Sequence, residues 1–235
     1  MFIILAVSSI WRTLDRQLIR DVAAIAIAVG FVGLSFGAIA IASGVPVWAV
    51  VAFSVLVFAG GAQFMAVGML AAGSPFAAIL GGLLLNARHL PFGMAIADVI
   101  GGRWGRRLAG THLMVDESVA FALAQPDRER RNGAYWLTGA LLFVLWQIGT
   151  VAGIVLGATV GDPNRYGLDA AFPAALFAQI LPRLADPAAR RVAVLGAAVA
   201  VGTTFVLPAG LPVLLALVGL VAAGPAPRSA TLVAS

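Results

Sequence analysis

Residues 22–43 read VAAIAIAVGFVGLSFGAIAIAS, a run without one charged side chain, bounded by Asp21 and Gly44. As a helix it covers roughly 33 Å, enough for a hydrocarbon core of about 30 Å. The chain repeats this pattern outward. Val45-Pro46 starts a tight connection to a second span at about 47–71. A third apolar stretch, 75–101, is interrupted at its centre by Asn86-Ala87-Arg88-His89-Leu90-Pro91. A short segment at about 110–125 carries Asp116 and Glu117, and a polar loop at 126–134 leads into a long span at 135–160. After the loop Gly161–Arg165, further segments lie at about 168–183, 190–206 and 208–224. The last two are short and separated by Leu207-Pro208, which predicts a tight pair. The expected fold is an all-α, polytopic integral membrane helix bundle of about six to eight membrane segments, with a broken or re-entrant segment around 75–101. The expected organisation is an amphipathic N-terminal cytoplasmic segment (1–21), one transmembrane helical domain (22–224) and a short C-terminal tail (225–235).

Composition excludes a soluble globular domain. Of the 235 residues, 61% are hydrophobic and 11% charged, against about 25% charged in ordinary soluble domains. With no Cys, disulfides, thiolate metal sites and Cys nucleophiles are excluded. All 15 basic residues are Arg, so there is no Walker A lysine to drive the chain with ATP and no Schiff-base lysine. Two histidines, His89 and His112, are too few for most His-based metal sites. Neither a cofactor nor a metal is expected. The basic pI does not signal nucleic acid, because the arginines sit at the ends of apolar runs, where membrane topology explains them.

Residues 1–11 are apolar but lack a positive leader, which argues against a cleaved signal peptide. Arg12, Arg16 and Arg20 then form one basic stripe at helical spacing. With the N-terminus in the cytoplasm, Arg12, Arg16, Arg20, Arg128, Arg130, Arg131, Arg183, Arg190, Arg191 and Arg228 all fall inside and Arg165 outside. The C-terminus is then cytoplasmic too. Arg103, Arg106 and Arg107 are ambiguous: outside if 75–101 and 110–125 both cross, inside if both are re-entrant or half-inserted.

Two glycine series mark helix contacts. Gly33 and Gly37 form a GxxxG that Gly30 extends, and Gly149, Gly153, Gly157 and Gly161 recur every four residues. Such spacing lets another backbone approach closely. Each face fits either internal packing or contact with a partner subunit.

A polar side chain in hydrocarbon is costly, so each one is a candidate for function. Asn86, Arg88 and His89 form the strongest group, with Pro91 and neighbouring glycines weakening the helix around them. Arg88 is suited to a carboxylate and His89 to proton coupling. Asp116 and Glu117 point about 100° apart on a helix and are suited to an ammonium or a proton. Asp116 lies one helical turn from His112 and is expected to pair with it if it serves structure alone. Gln63, beside Gly60-Gly61, offers neutral hydrogen bonds, as does Asn86. Gln147 and Gln179 are read as structural, Asp98 as interfacial, and Asp169 as a helix N-terminal acid.

Gly61-Ala62-Gln63-Phe64, Asn86-x-Arg88-His89-Leu90, Asp116-Glu117, and Leu168-Asp169 with Phe172-Pro173-Ala174-Ala175-Leu176-Phe177 occur in that order. The set resembles the AzlC family, the large subunit of two-component branched-chain amino acid exporters, over residues 20–225. Asn-x-Arg-His-Leu is its most specific element. The resemblance implies a secondary transporter of the bacterial cytoplasmic membrane. It would work with a small AzlD-type membrane subunit and export Leu, Ile, Val or Met. The rival classes are a non-transporting assembly subunit and an intramembrane hydrolase. The hydrolase lacks its motifs: Ser43-Gly44 has no glycine two residues before the serine, Thr159-Val160-Gly161-Asp162 is not GxGD, and HExxH is absent.

Overall fold

The computed structural model describes residues 15–160, 180–207 and 211–223, with positions 167, 170, 173, 174 and 177. Readings that fall on Arg12, Gly161, Asp162, Arg165, Leu168, Asp169, Phe172, Ala175, Leu176, Gln179, Pro208 and Arg228 lie outside the described residues. The described residues are helical and contain no strand. The helices are α1 (Arg16–Ala42), α2 (Val47–Val57), α3 (Gly61–Ala71), α4 (Pro75–Asn86), α5 (His89–Ala95) and α6 (Ala97–Ile100). They continue with α7 (Trp104–His112), α8 (Asp116–Leu123), α9 (Arg128–Val160), α10 (Pro187–Thr204) and α11 (Leu211–Leu215). Two 3₁₀ turns, Leu181–Ala185 and Ala216–Ala223, complete the set.

Local chemistry sets several boundaries. Asp15 caps α1 by accepting from the Gln17 N–H at 3.3 Å, and Asp186 caps α10 through the N–H groups of Ala188 and Ala189. Pro75 and Pro187 occupy the first turns of α4 and α10, where a missing N–H costs nothing.

Helices α1 and α9 form the backbone of the fold, and they run parallel. Leu18 and Val22 share a cluster with Ala134. Further along, a Cβ built on Gly33 would lie 2.7 Å from the Trp146 carbonyl oxygen, and one on Gly157 would lie 2.8 Å from that of Ala38. Cβ atoms on Gly37, Gly149 and Gly153 would collide with the carbonyls of Thr150, Gly30 and Leu34. The two glycine series therefore face each other. The alternative that either seam docks a separate subunit is excluded by this contact: both are closed inside one chain. These two helices are also long and apolar enough to cross a bilayer. Outward-facing side chains are apolar, as Phe31, Trp48, Leu56, Leu83 and Leu90 show.

Because α1 and α9 are parallel, Arg16, Arg20, Arg128, Arg130 and Arg131 gather at one end, and Ser43 and Val160 mark the other. From Ser43 the chain descends along α2, where Ser54 bonds Gln147 and Phe58 packs edge-on against Phe143 at 5.1 Å. That places residue 58 beside the middle of α9. The helix ends there, with Phe58 at φ 26° and Gly60 at φ 26°. A bulky side chain in this left-handed region costs about 1–3 kcal/mol and requires tertiary support. Helix α3 turns back: Phe64 packs on Phe36 at 5.5 Å, and Val67 joins the cluster containing Ala40 and Ile154. The expected continuous span at 47–71 is thus corrected to a hairpin of two half-length helices, α2 and α3, of about 16 Å each.

Helix α4 packs against α3, with Gly81 beside Met65 and Ala77 and Ala78 in one cluster with Ala66 and Met69. This brings Asn86 down to the level of the α2–α3 tip. Through α5 and α6 the chain then reaches the arginine end, where Arg128 Nη2 donates to the Asp98 carbonyl at 3.1 Å. Segment 75–101 therefore runs end to end, broken at Ala87-Arg88. Helix α7 climbs back along α9: Arg106 lies over the Trp136 ring, Tyr135 Oη donates to the Gly110 carbonyl at 2.6 Å, and His112 packs on Phe143. Helix α8 returns, with Val119 and Ala122 packed in one cluster with Tyr135. Helices α7 and α8 form a second hairpin, entering from the opposite end to the first. Arg103, Arg106 and Arg107 accordingly share the end occupied by Arg128–Arg131. Past residue 180, α10 packs on the turn Ala216–Ala223, with Gly196 against the Ala216 carbonyl.

Candidate functional site

The two hairpin tips meet beside the middle of α9, next to the break in the end-to-end segment. Between them lies a cavity of about 530 Å³, lined by Val57, Phe58 and Ala59 from the first tip and Asn86 and His89 from the break. Leu108, Thr111, His112 and Met114 line it from the second hairpin. This volume lies within the ~300–1,000 Å³ range of small-molecule sites. The walls are mainly apolar, with a few polar groups, a composition suited to an apolar side chain carrying a polar head.

The first tip is held by Gln63 and by a set of bonds around Ser54. Gln63 is fully buried, and its Oε1 accepts from the Ala59 N–H at 3.1 Å, closing the turn at 58–60. Gln63 is not among the cavity-lining residues; it supports the wall. Ser54 Oγ donates to Gln147 Oε1 at 2.9 Å and accepts from Trp146 Nε1 at 3.0 Å. Gln147 Nε2 in turn donates to the Ser54 carbonyl at 3.2 Å. This clasp ties α2 to α9 and explains the Gln147 amide as structural.

At the break, His89 Nδ1 lies 3.0 Å from the Asn86 carbonyl oxygen. A carbonyl oxygen only accepts, so Nδ1 carries a hydrogen and donates it there. Arg88 Nη1 forms an ion pair with Asp116 Oδ2 at 3.2 Å, joining the break to the start of α8. His112 instead packs on Phe58 and Phe143, with ring centroids 6.3 and 5.5 Å away. The expected His112–Asp116 pairing fails because the helix ends between them: His112 closes α7 and Asp116 opens α8. Glu117 follows Asp116 in the first turn of α8, where acids favour the helix dipole. Asp98 is exposed at the arginine end.

The structure thus brings Asn86, Arg88, His89 and Asp116 together, with Glu117 adjacent and Gln63 behind the wall. Sequence reasoning missed Phe58, Thr111, Met114 and Ser54. Ser54 is a polar residue in apolar surroundings and carries that signal; Thr111 lies in the polar run Trp104–His112 and does not stand out. Phe58 carries none, because its positive φ is imposed by packing.

The chain matches the AzlC protein family over residues 24–160, a narrower range than the resemblance read from the motifs. It is 28% identical over 142 residues to a Bacillus subtilis (strain 168) protein named branched-chain amino acid transport protein AzlC. The aligned part covers 59% of this chain and 56% of that protein, little more than half its length. No solved structure matches. The matched range contains both glycine seams, both hairpins and every residue that lines the cavity. This chain belongs to the AzlC protein family.

Proposed function

We propose that this chain is the large subunit of a secondary transporter that exports Leu, Ile and Val, and also Met, across the bacterial cytoplasmic membrane. The observation that carries this reading is the cavity where two opposed hairpin tips meet a broken helix. Interrupted helices present polar groups at depth, as transporters of polar solutes require. The apolar walls suit a branched side chain, and Asn86, His89, Thr111 and His112 supply polar contacts. Each hairpin reaches the cavity from one end only. Movement of α2–α3 or α7–α8 therefore opens the cavity to one side while the other hairpin stays closed. The end rich in Arg16, Arg20, Arg103, Arg106, Arg107 and Arg128–Arg131 faces the cytoplasm by charge asymmetry, with both chain termini cytoplasmic. With no nucleotide motif, an ion or substrate gradient supplies the driving force. A small AzlD-type subunit covers part of the exposed apolar surface outside the closed α1–α9 seam.

The test is radiolabelled leucine flux in sealed vesicles containing this chain, with and without the small subunit. Gradient-driven leucine efflux from the cytoplasmic side is expected. Absence of leucine flux and exchange with both subunits present would overturn the reading.

A further inference from the structure

We propose that Arg88 and Asp116, together with Asn86, form a receptor for the zwitterionic head of an α-amino acid, and that it binds without breaking the ion pair. This rests on the transport reading above and specifies which chemistry the site accepts. The observation is a set of unmet bonds. Arg88 and Asp116 touch through one atom each, Nη1 and Oδ2 at 3.2 Å. Arg88 Nε and Asp116 Oδ1 are both buried and lack a hydrogen-bond partner, as does Asn86 Oδ1. Arg–carboxylate pairs frequently meet through two parallel bonds. Here the contact is through a single nitrogen and a single oxygen, and Arg88 Nε and Asp116 Oδ1 are the buried atoms left over.

The three atoms are one donor, Arg88 Nε, and two acceptors, Asp116 Oδ1 and Asn86 Oδ1. An amino acid head has the complementary set: a carboxylate that accepts and an ammonium that donates three times. Buried polar atoms are rarely left unmet, and the cost of an unmet one falls when a ligand supplies the bond. Asn86 lines the cavity; Arg88 and Asp116 do not line it themselves but adjoin lining residues along the chain, and their paired side chains are 36% and 31% exposed. The head thus sits at the ion pair and the side chain extends among Val57, Phe58, Leu108 and Met114. A zwitterion adds no net charge. A monoanion or a monocation does, and leaves either the buried acceptors or the buried donor unmet.

The test uses the wild-type full chain together with the small subunit in sealed vesicles, and labelled leucine exchange. Competitors are unlabelled leucine, 3-methylbutylamine, which lacks the carboxylate, and 4-methylpentanoate, which lacks the ammonium. Leucine should compete, and each analogue should be weaker by at least about 100-fold. Competition by either analogue as strong as that of leucine would overturn the proposal while leaving transport standing. No leucine exchange at all would instead defeat the transport reading. Arg88→Lys then separates receptor from brace: the ion pair to Asp116 survives, but the Nε donor is gone. Leucine affinity should fall about 10–100-fold at unchanged thermal stability. Wild-type affinity in Arg88→Lys would overturn the proposal. Asn86→Ala gives a second, independent reading, with weakened leucine binding expected and wild-type binding refuting the role assigned to its Oδ1.

Discussion

Gly33→Ala tests the parallel α1–α9 seam in its smallest form, one methyl group. The new Cβ would lie 2.7 Å from the Trp146 carbonyl oxygen and 3.3 Å from its Cα. Ordinary contact begins at 3.4 Å, so α9 must retreat there by roughly 0.7 Å. Backbone atoms of a helix cannot swing aside as a side-chain terminus does. The retreat also loosens neighbouring contacts along the seam, since a gap of about 0.5–1 Å forfeits a quarter to a half of each contact energy. Overpacking of this kind costs about 1–3 kcal/mol, against about 0.8–1 kcal/mol gained from replacing a helical glycine with alanine. Gly68→Ala and Gly82→Ala are matched controls, because nothing lies within 4 Å of a Cβ at either position. They collect the helix gain without the clash. The controls share the helix gain, so the difference is the clash alone; at about 2–4 °C per kcal/mol for a chain of this size, Gly33→Ala should melt roughly 2–12 °C below them. The assay is thermal unfolding in detergent followed by tryptophan fluorescence, with Trp146 itself on the seam. A Gly33→Ala protein that melts with the controls would show that the seam is not closed within the chain.

Three further outcomes follow from the same contacts. Ser54→Ala should cost about 1–3 kcal/mol of stability in the same assay, because Trp146 Nε1 and Gln147 Oε1 both lose their partner; an unchanged melting temperature would dissolve the α2–α9 clasp. Gln63→Met keeps the volume but removes the acceptor for the Ala59 N–H, so it should destabilise by about 1–3 kcal/mol and weaken leucine exchange by loosening the first tip. The chain lacks Cys, so single cysteines introduced at Arg106, Arg130 and Gly73 can be labelled in sealed vesicles without background. Positions 106 and 130 should react from one side and 73 from the other; opposite labelling of 106 and 130 would refute the hairpin assignment of α7–α8.

Helix, membrane and family were legible in the sequence because each depends on local composition and spacing. Residues 22–43 are apolar throughout, glycines recur every four residues from Gly149, and Asn86-Ala87-Arg88-His89 interrupts an apolar run. These patterns identify elements and their weak points. They do not identify partners, since a glycine face accepts any helix that presents a complementary backbone. Only the tertiary structure decided that Gly30–Gly37 and Gly149–Gly157 close on each other, leaving neither seam for a second subunit. It also decided that 47–71 turns back. An apolar stretch of 25 residues reads as a span by length alone, whereas the reversal depends on Phe58 being held at positive φ by Phe143 and on Gln63 closing the turn. The end of the bundle that Arg103–Arg107 share followed from the whole path, including that reversal and the α7–α8 hairpin. The pairing of Arg88 with Asp116 was likewise settled in space. Their 28-residue separation carries no signal, and the bond exists because a broken helix and a hairpin tip lie side by side in the fold.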